Sequence, residues 1–133
     1  MRNFVKGIIF FLISCSALAA LDTKNDKVLQ AQISDKSYQA KCSFVDEKNK
    51  PHESTHYFYK GNEYFLFSDY STKQQYYMVL APYKVNQDKL SGKTSDASFE
   101  YNFKTKQYTS KQAPPFGTIV EKCEVLNDSV KAL

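Results

Sequence analysis

From residue 38 onward the chain alternates with period two. Tyr38, Ala40, Cys42 and Phe44 fall on one side of an extended segment, and Gln39, Lys41, Ser43 and Val45 on the other. That is the pattern of a half-buried strand. Two aromatic runs follow, 55–59 and 64–68, joined by Lys60-Gly61-Asn62-Glu63. Such a linker predicts a hairpin, because Gly and Asn accept positive φ. The polar stretch 46–51 before them reads as a loop, and 69–73 turn the chain again. Positions 75–81 are the most apolar run after the N-terminal segment and predict a central strand. Pro82 and the stretch 86–96, with Gly92 inside it, predict a longer loop. Alternation resumes over 97–103, where Phe99, Tyr101 and Phe103 share a side, and again at 108–110. Ala113-Pro114-Pro115-Phe116-Gly117 breaks it, and 118–126 predict a last strand carrying Cys123.

Six to seven short strands with turns between them predict a mainly β fold. It is an antiparallel meander closed as a small barrel or a sandwich. Residues 20–37 are polar and lysine-rich. Within them Val28, Leu29, Ala31 and Ile33 fit one face of a short N-terminal helix opening near Asp26, the expectation favoured over an extended arm. The expected organisation is a cleavable signal over 1–19, this polar segment over 20–37, one β-rich domain over 38–126 and a tail over 127–133.

The signal is read from Arg2 and Lys6, the apolar run after them, and the small residues of Ala17-Leu18-Ala19. Cleavage is expected after Ala19. The apolar run is shorter than the ~20 residues a membrane span needs, so no span is expected. Leu12-Ile13-Ser14-Cys15 also has the form of a bacterial lipobox, which would lipidate Cys15 and anchor the domain to a membrane. The apolar residues 16–21 are unlike the polar tether of a lipoprotein and favour release. The expected location is therefore the periplasm or the exterior of a bacterial cell, with the lipoprotein as the alternative.

Export leaves Cys42 and Cys123, on the first and last strands. In an oxidising compartment they are expected to form one disulfide closing the meander. The formal net charge is +4, and Arg2 and Lys6 account for two of it, so the remaining domain carries only about +2. Arg2 is the only arginine. Base and phosphate recognition leans on the guanidinium fork, so no nucleic-acid partner is expected. There is no tryptophan, but ten tyrosines lie between Tyr38 and Tyr108. They serve either as core filling or as an aromatic surface for a partner. A domain this small is expected to leave some of them at the surface.

His52-Glu53-Ser54-Thr55-His56 fits H-E-x-x-H, and both histidines of the chain lie in it. On a helix, His52 and His56 would stand about 6 Å apart along the axis and share a zinc, with Glu53 as base. On a strand they stand about 13 Å apart, too far for common ligation. Tyr57-Phe58-Tyr59 favours strand. A third ligand would have to be a carboxylate such as Glu100 or Glu121. Otherwise the motif is a polar loop entering a strand, with both histidines exposed. A Ser-His-Asp arrangement would need one of the same histidines and lacks a nucleophile turn.

The leading expectation is a non-enzymatic, monomeric exported binding protein, without cofactor, recognising a protein or glycan partner through aromatic surface and loops. Enzyme inhibition is one form of it. The alternatives are a small zinc hydrolase using His52, His56 and Glu53, and a structural or accessory subunit of a surface assembly.

Overall fold

A computed structural model describes residues 22–115 and 117–133. The expected signal 1–19 and Cys15 lie outside them. A helix, α1 (Lys27–Lys36), is followed by β1 (Tyr38–Val45), β2 (Pro51–Tyr59), β3 (Asn62–Ser68), β4 (Gln75–Asn86), β5 (Lys89–Lys93), β6 (Ala97–Asn102), β7 (Gln107–Gln112) and β8 (Gly117–Asn127), then a 3-10 turn at Val130–Ala132. The strands pair antiparallel in chain order and β8 returns to β1, so the sheet is a closed barrel rather than a sandwich. Cys42 and Cys123 stand opposite each other in the closing ladder and are disulfide-bonded. Among the described residues no helix is long and apolar enough to cross a membrane.

The strand count exceeds the expected six to seven because β5 lies inside the stretch read as a loop. Leu90 is its only buried residue, so it carries no visible alternation. A tight turn at Gln87 (φ 59°) sets Asn86 opposite Lys89. β4 runs straight through Pro82, which lies where the strand changes partner. Asn62↔Pro82 ends the register with β3, and Tyr83↔Gly92 opens that with β5. A residue without an N–H is tolerated at such a junction. Gly92 is required there by close approach. A Cβ would meet the Pro82 carbonyl oxygen and come within 2.6 Å of the Phe99 ring. Gly92→Ala is expected to cost about 1–3 kcal/mol, read as a lowered melting temperature; an unchanged melt would refute the close packing.

The inward face of the barrel is aromatic. Tyr38, Phe58, Tyr83, Phe99, Tyr101 and Tyr108 pack with Ala40, Cys42, Ala81 and Leu90. An eight-stranded barrel is narrow enough for side chains to fill it. A second cluster lies outside the wall, where Ile33 of α1 covers Tyr59, Tyr64 and Tyr77. Ile33 is the only buried residue of the helix. Asp26 caps it by accepting from the Leu29 N–H at 3.0 Å. A ten-residue helix with one anchor is held by its docking rather than by its own propensity. Because β2, β3 and β4 bury tyrosines on both faces, eight of the ten are buried, Tyr57 is half-buried and only Tyr70 is fully exposed. The expectation that some tyrosines stand at the surface is met by Tyr70 and, in part, by Tyr57. The C-terminal residues dock as well: Ala132 is buried, and its carbonyl accepts from the Lys60 N–H at 2.6 Å.

One irregularity positions the site. β2 pairs with the whole of β1, from Tyr38↔Phe58 to Val45↔Pro51. It meets β3 only at Tyr57↔Tyr64, Phe58↔Glu63 and Tyr59↔Asn62. β3 continues with β4 out to Ser68↔Gln75. The first half of β2 and the second half of β3 therefore diverge, and the β3–β4 hairpin overhangs the barrel. On its β4 side the hairpin is held by the N-terminal segment. Asp22 bridges to Met78, the Thr23 N–H donates to the Tyr77 carbonyl at 3.0 Å, and the Tyr77 N–H donates to Thr23 Oγ1 at 2.9 Å.

Candidate functional site

The H-E-x-x-H residues lie on a strand. β2 starts at Pro51, four residues before the expected run, because the turn after Val45 brings Phe44 opposite His52. Asn49 supplies the positive φ (66°) of that turn. Alternation then sends His52, Ser54 and His56 to one face and Glu53 to the other. Glu53 pairs outside with Lys41 at 3.4 Å. His52 is exposed, stacks on Phe44 at 4.8 Å and bonds Asp46 at 2.8 Å. The helical geometry in which Glu53 serves two imidazoles on one face is not formed. His56, expected at the surface, is turned inward instead, with 12% of its side chain exposed.

His56 is the centre of a polar cluster inside the barrel. Its Nδ1 lies 2.6 Å from Glu63 Oε2, its Nε2 is 3.4 Å from Glu121 Oε1, and Ser54 Oγ is 3.2 Å from the same Nε2. The Glu63 contact is the firm one; that to Glu121 is at the limit of a hydrogen bond. The second Glu63 oxygen accepts from the Tyr108 hydroxyl at 2.9 Å. Tyr108 also stacks on the imidazole at 3.9 Å, and Phe99 stacks on Tyr108 at 5.7 Å. Glu63 is 1% exposed. The hairpin turn at Lys60 and Gly61, both with positive φ, sets Glu63 opposite Phe58. A bulge after Glu63 then shifts the register against β4. Glu121 arrives from β8, opposite Tyr108.

Burial alone would lower the His56 pKa. The hydrogen bonds to Glu121 and Glu63, with their charges, outweigh it and raise the pKa to about 9. Burial, and next the Glu63 charge, push the Tyr108 hydroxyl well above the ordinary phenol range, so it stays a donor. Ser54, His56 and Glu63 follow one another as nucleophile, base and orienting acid do in a hydrolase triad. With a pKa near 9 only about one imidazole in a hundred is neutral at pH 7. His56 therefore donates from both nitrogens and is not poised to take the Ser54 proton. Glu100, the other expected third-ligand candidate, lies outside against Lys89 at 3.7 Å. The chemistry of this cluster is that of a clamped cation.

Above it, the overhanging hairpin presents apolar surface. Phe65 is 37% exposed, Leu66 40% and Tyr70 93%. The tip is a formed turn: Asp69 Oδ1 accepts from the Ser71 N–H at 3.0 Å and from its hydroxyl at 2.8 Å. Lys73 lies 5.6 Å over the Tyr70 ring. Among the described residues, no strand pairs with β3 on its outer side from Phe65 to Ser68. Elsewhere, a groove of about 700 Å³ crosses β4 to β7, with Lys84, Lys93 and Lys111 along it and Gly92 and Phe99 in its floor.

Fold and site define a disulfide-closed, eight-stranded antiparallel barrel with an aromatic interior and one clamped histidine. Compared with known proteins, the chain matches no family model, no curated protein and no solved structure.

Proposed function

We propose that this is an exported binding protein without enzymatic activity of its own, which takes a protein partner through the β3–β4 hairpin. The observation that carries this is the overhang, where Phe65, Leu66 and Tyr70 are exposed beside a strand edge that no described strand covers. Such an edge offers backbone N–H and C=O groups to an extended segment, and flanking apolar side chains add specificity. A protein suits this surface better than a glycan, because a glycan has no strand to add. Inhibition of a host or competitor enzyme is one form such binding takes. The Cys42–Cys123 bond supports an exported setting, periplasmic or extracellular. The clamped state of His56 supports a non-catalytic role.

The test is capture by the purified oxidised domain. Leu66→Lys with Tyr70→Ala should weaken partner capture at least about tenfold, with a melting temperature within about 2 °C of wild type because both residues are exposed. Val28→Lys, on the exposed face of α1, should change neither. Capture that survives the hairpin variant but is lost on replacing Lys84, Lys93 and Lys111 by Gln would move the contact to the groove and overturn the hairpin reading. The same edge favours one rival, self-pairing into a surface assembly. Size exclusion separates them: a concentration-independent monomer fits partner binding, a growing series of oligomers fits assembly.

A further inference from the structure

We infer that reducing the Cys42–Cys123 bond opens a site for one zinc-class divalent ion inside the barrel, with Cys42, Cys123, His56 and Glu121 as its four donors. The inference stands apart from the proposed binding function. Its basis is a juxtaposition that chain order does not show. The Cys42 sulfur, a His56 ring nitrogen and a Glu121 carboxylate oxygen all lie within 4.8 Å of one another. Cys123 is directly opposite Cys42 on the neighbouring strand and bonded to it, so its sulfur lies one bond from this group and would join it as a fourth donor once released.

The geometry fits a tetrahedral ion. Zinc holds thiolates at about 2.3 Å and imidazole at about 2.0 Å, which sets neighbouring donors roughly 3.3–3.8 Å apart. Cross-strand partners have Cβ atoms about 4.5–5.5 Å apart, so two thiolates reach that spacing once the sulfur–sulfur bond is gone. The donors of Cys42, His56 and Glu121, within 4.8 Å of one another, need to draw together by about 1–1.5 Å at most. His56 is already oriented for ligation. Its Nδ1 is held by Glu63 at 2.6 Å, and Glu63 is held in turn by Tyr108 at 2.9 Å. A carboxylate on one ring nitrogen is the usual support for a histidine that ligates through the other. Ser54 and Glu121 mark the side on which Nε2 faces the cluster. Two thiolates, one imidazole and one carboxylate select zinc over harder ions such as magnesium or calcium. Four protein donors make a closed structural site rather than a catalytic one.

The chemistry balances with a dithiol as reductant. It supplies two electrons and two protons, is itself oxidised to its disulfide, and leaves two thiols on the barrel. Metal binding then releases both thiol protons and the Nε2 proton of His56 to solvent. The ion replaces the covalent bond in joining β1 to β8; thiol–disulfide exchange with a small-molecule disulfide, itself reduced to two thiols, re-forms the bond and releases the ion.

The experiment is a cobalt titration of the protein reduced with a non-chelating phosphine. Binding of one cobalt per chain is expected, with thiolate-to-metal charge-transfer absorption and the intense visible bands of a tetrahedral site. Zinc should displace it, and the oxidised protein should give no bands. His56→Ala should weaken cobalt affinity at least about tenfold, and Glu63→Gln should weaken it less, through orientation. Should reduction loosen the barrel, added zinc is expected to restore the near-ultraviolet circular dichroism of the buried tyrosines. Absence of cobalt bands in a folded reduced barrel would overturn the inference. So would bands indifferent to both His56→Ala and Glu121→Gln, or failure of zinc to restore an unfolded reduced chain.

Discussion

Replacing Cys42 and Cys123 together by serine is expected to lower the melting temperature by more than about 10 °C. The bond joins residues 81 apart in sequence, the first strand to the last. Cross-linking a loop of that length removes about 4.5 kcal/mol of entropy from the unfolded chain. Domains of this size have a total stability of about 5–15 kcal/mol, so the bond is a large share of the whole. At roughly 4 °C per kcal/mol for about 110 residues, the expected shift exceeds 10 °C even if strain or residual structure removes a third of it. Cys42 is fully buried, so a serine there adds a desolvation cost. Thermal melts of the oxidised protein and the double variant read the difference. Equal melts would mean that the β1–β8 ladder alone closes the barrel.

The second large effect is a loss of stability between neutral and alkaline pH. His56 has a folded pKa raised to about 9, against about 6.5 unfolded. A raised pKa stabilises fully below the unfolded value, and that contribution is lost as pH rises through the folded value. The window is therefore pH 6.5 to about 9.5, and the amount on the order of 3 kcal/mol. Glu63→Gln removes the nearer carboxylate. It is expected to cost roughly 3 kcal/mol at pH 7, since it breaks a buried ion pair, and to flatten the pH dependence. Above pH 10 a separate loss sets in, because burial raises the tyrosine pKa values in the fold, as at Tyr83 and Tyr101. Melts at intervals from pH 6 to 9.5 isolate the histidine. A wild-type curve that is flat over this range would refute the clamped imidazolium.

Much of the fold is legible in the period-two pattern. The alternation at Tyr38, Ala40, Cys42 is the observed burial of β1, and placing the two cysteines on the first and last strands predicts their bond. β5 is illegible because Leu90 is its only buried residue. Which tyrosines are exposed is not legible, because alternation implies one buried face, whereas α1 covers the outer face of β2 to β4 as well. The site is legible only in half. His56 stands in a visible motif, but its partners do not. Glu63 and Tyr108 sit 7 and 52 positions away and meet it only after the β2–β3 turn and the closure of the barrel. Nothing in the sequence singles out Glu121 from Glu100; the register of β8 against β7, which sets Glu121 opposite Tyr108, does.

Binding through the β3–β4 hairpin is tested most directly by a photo-activated cross-linking residue placed singly at Tyr70, Leu66, Val28 and Val120, all exposed. After illumination in the producing cells or with the candidate target surface, positions 70 and 66 should give one discrete protein adduct, and positions 28 and 120 none. An adduct of the same size from all four positions, or from 28 or 120 alone, would contradict a hairpin-centred contact.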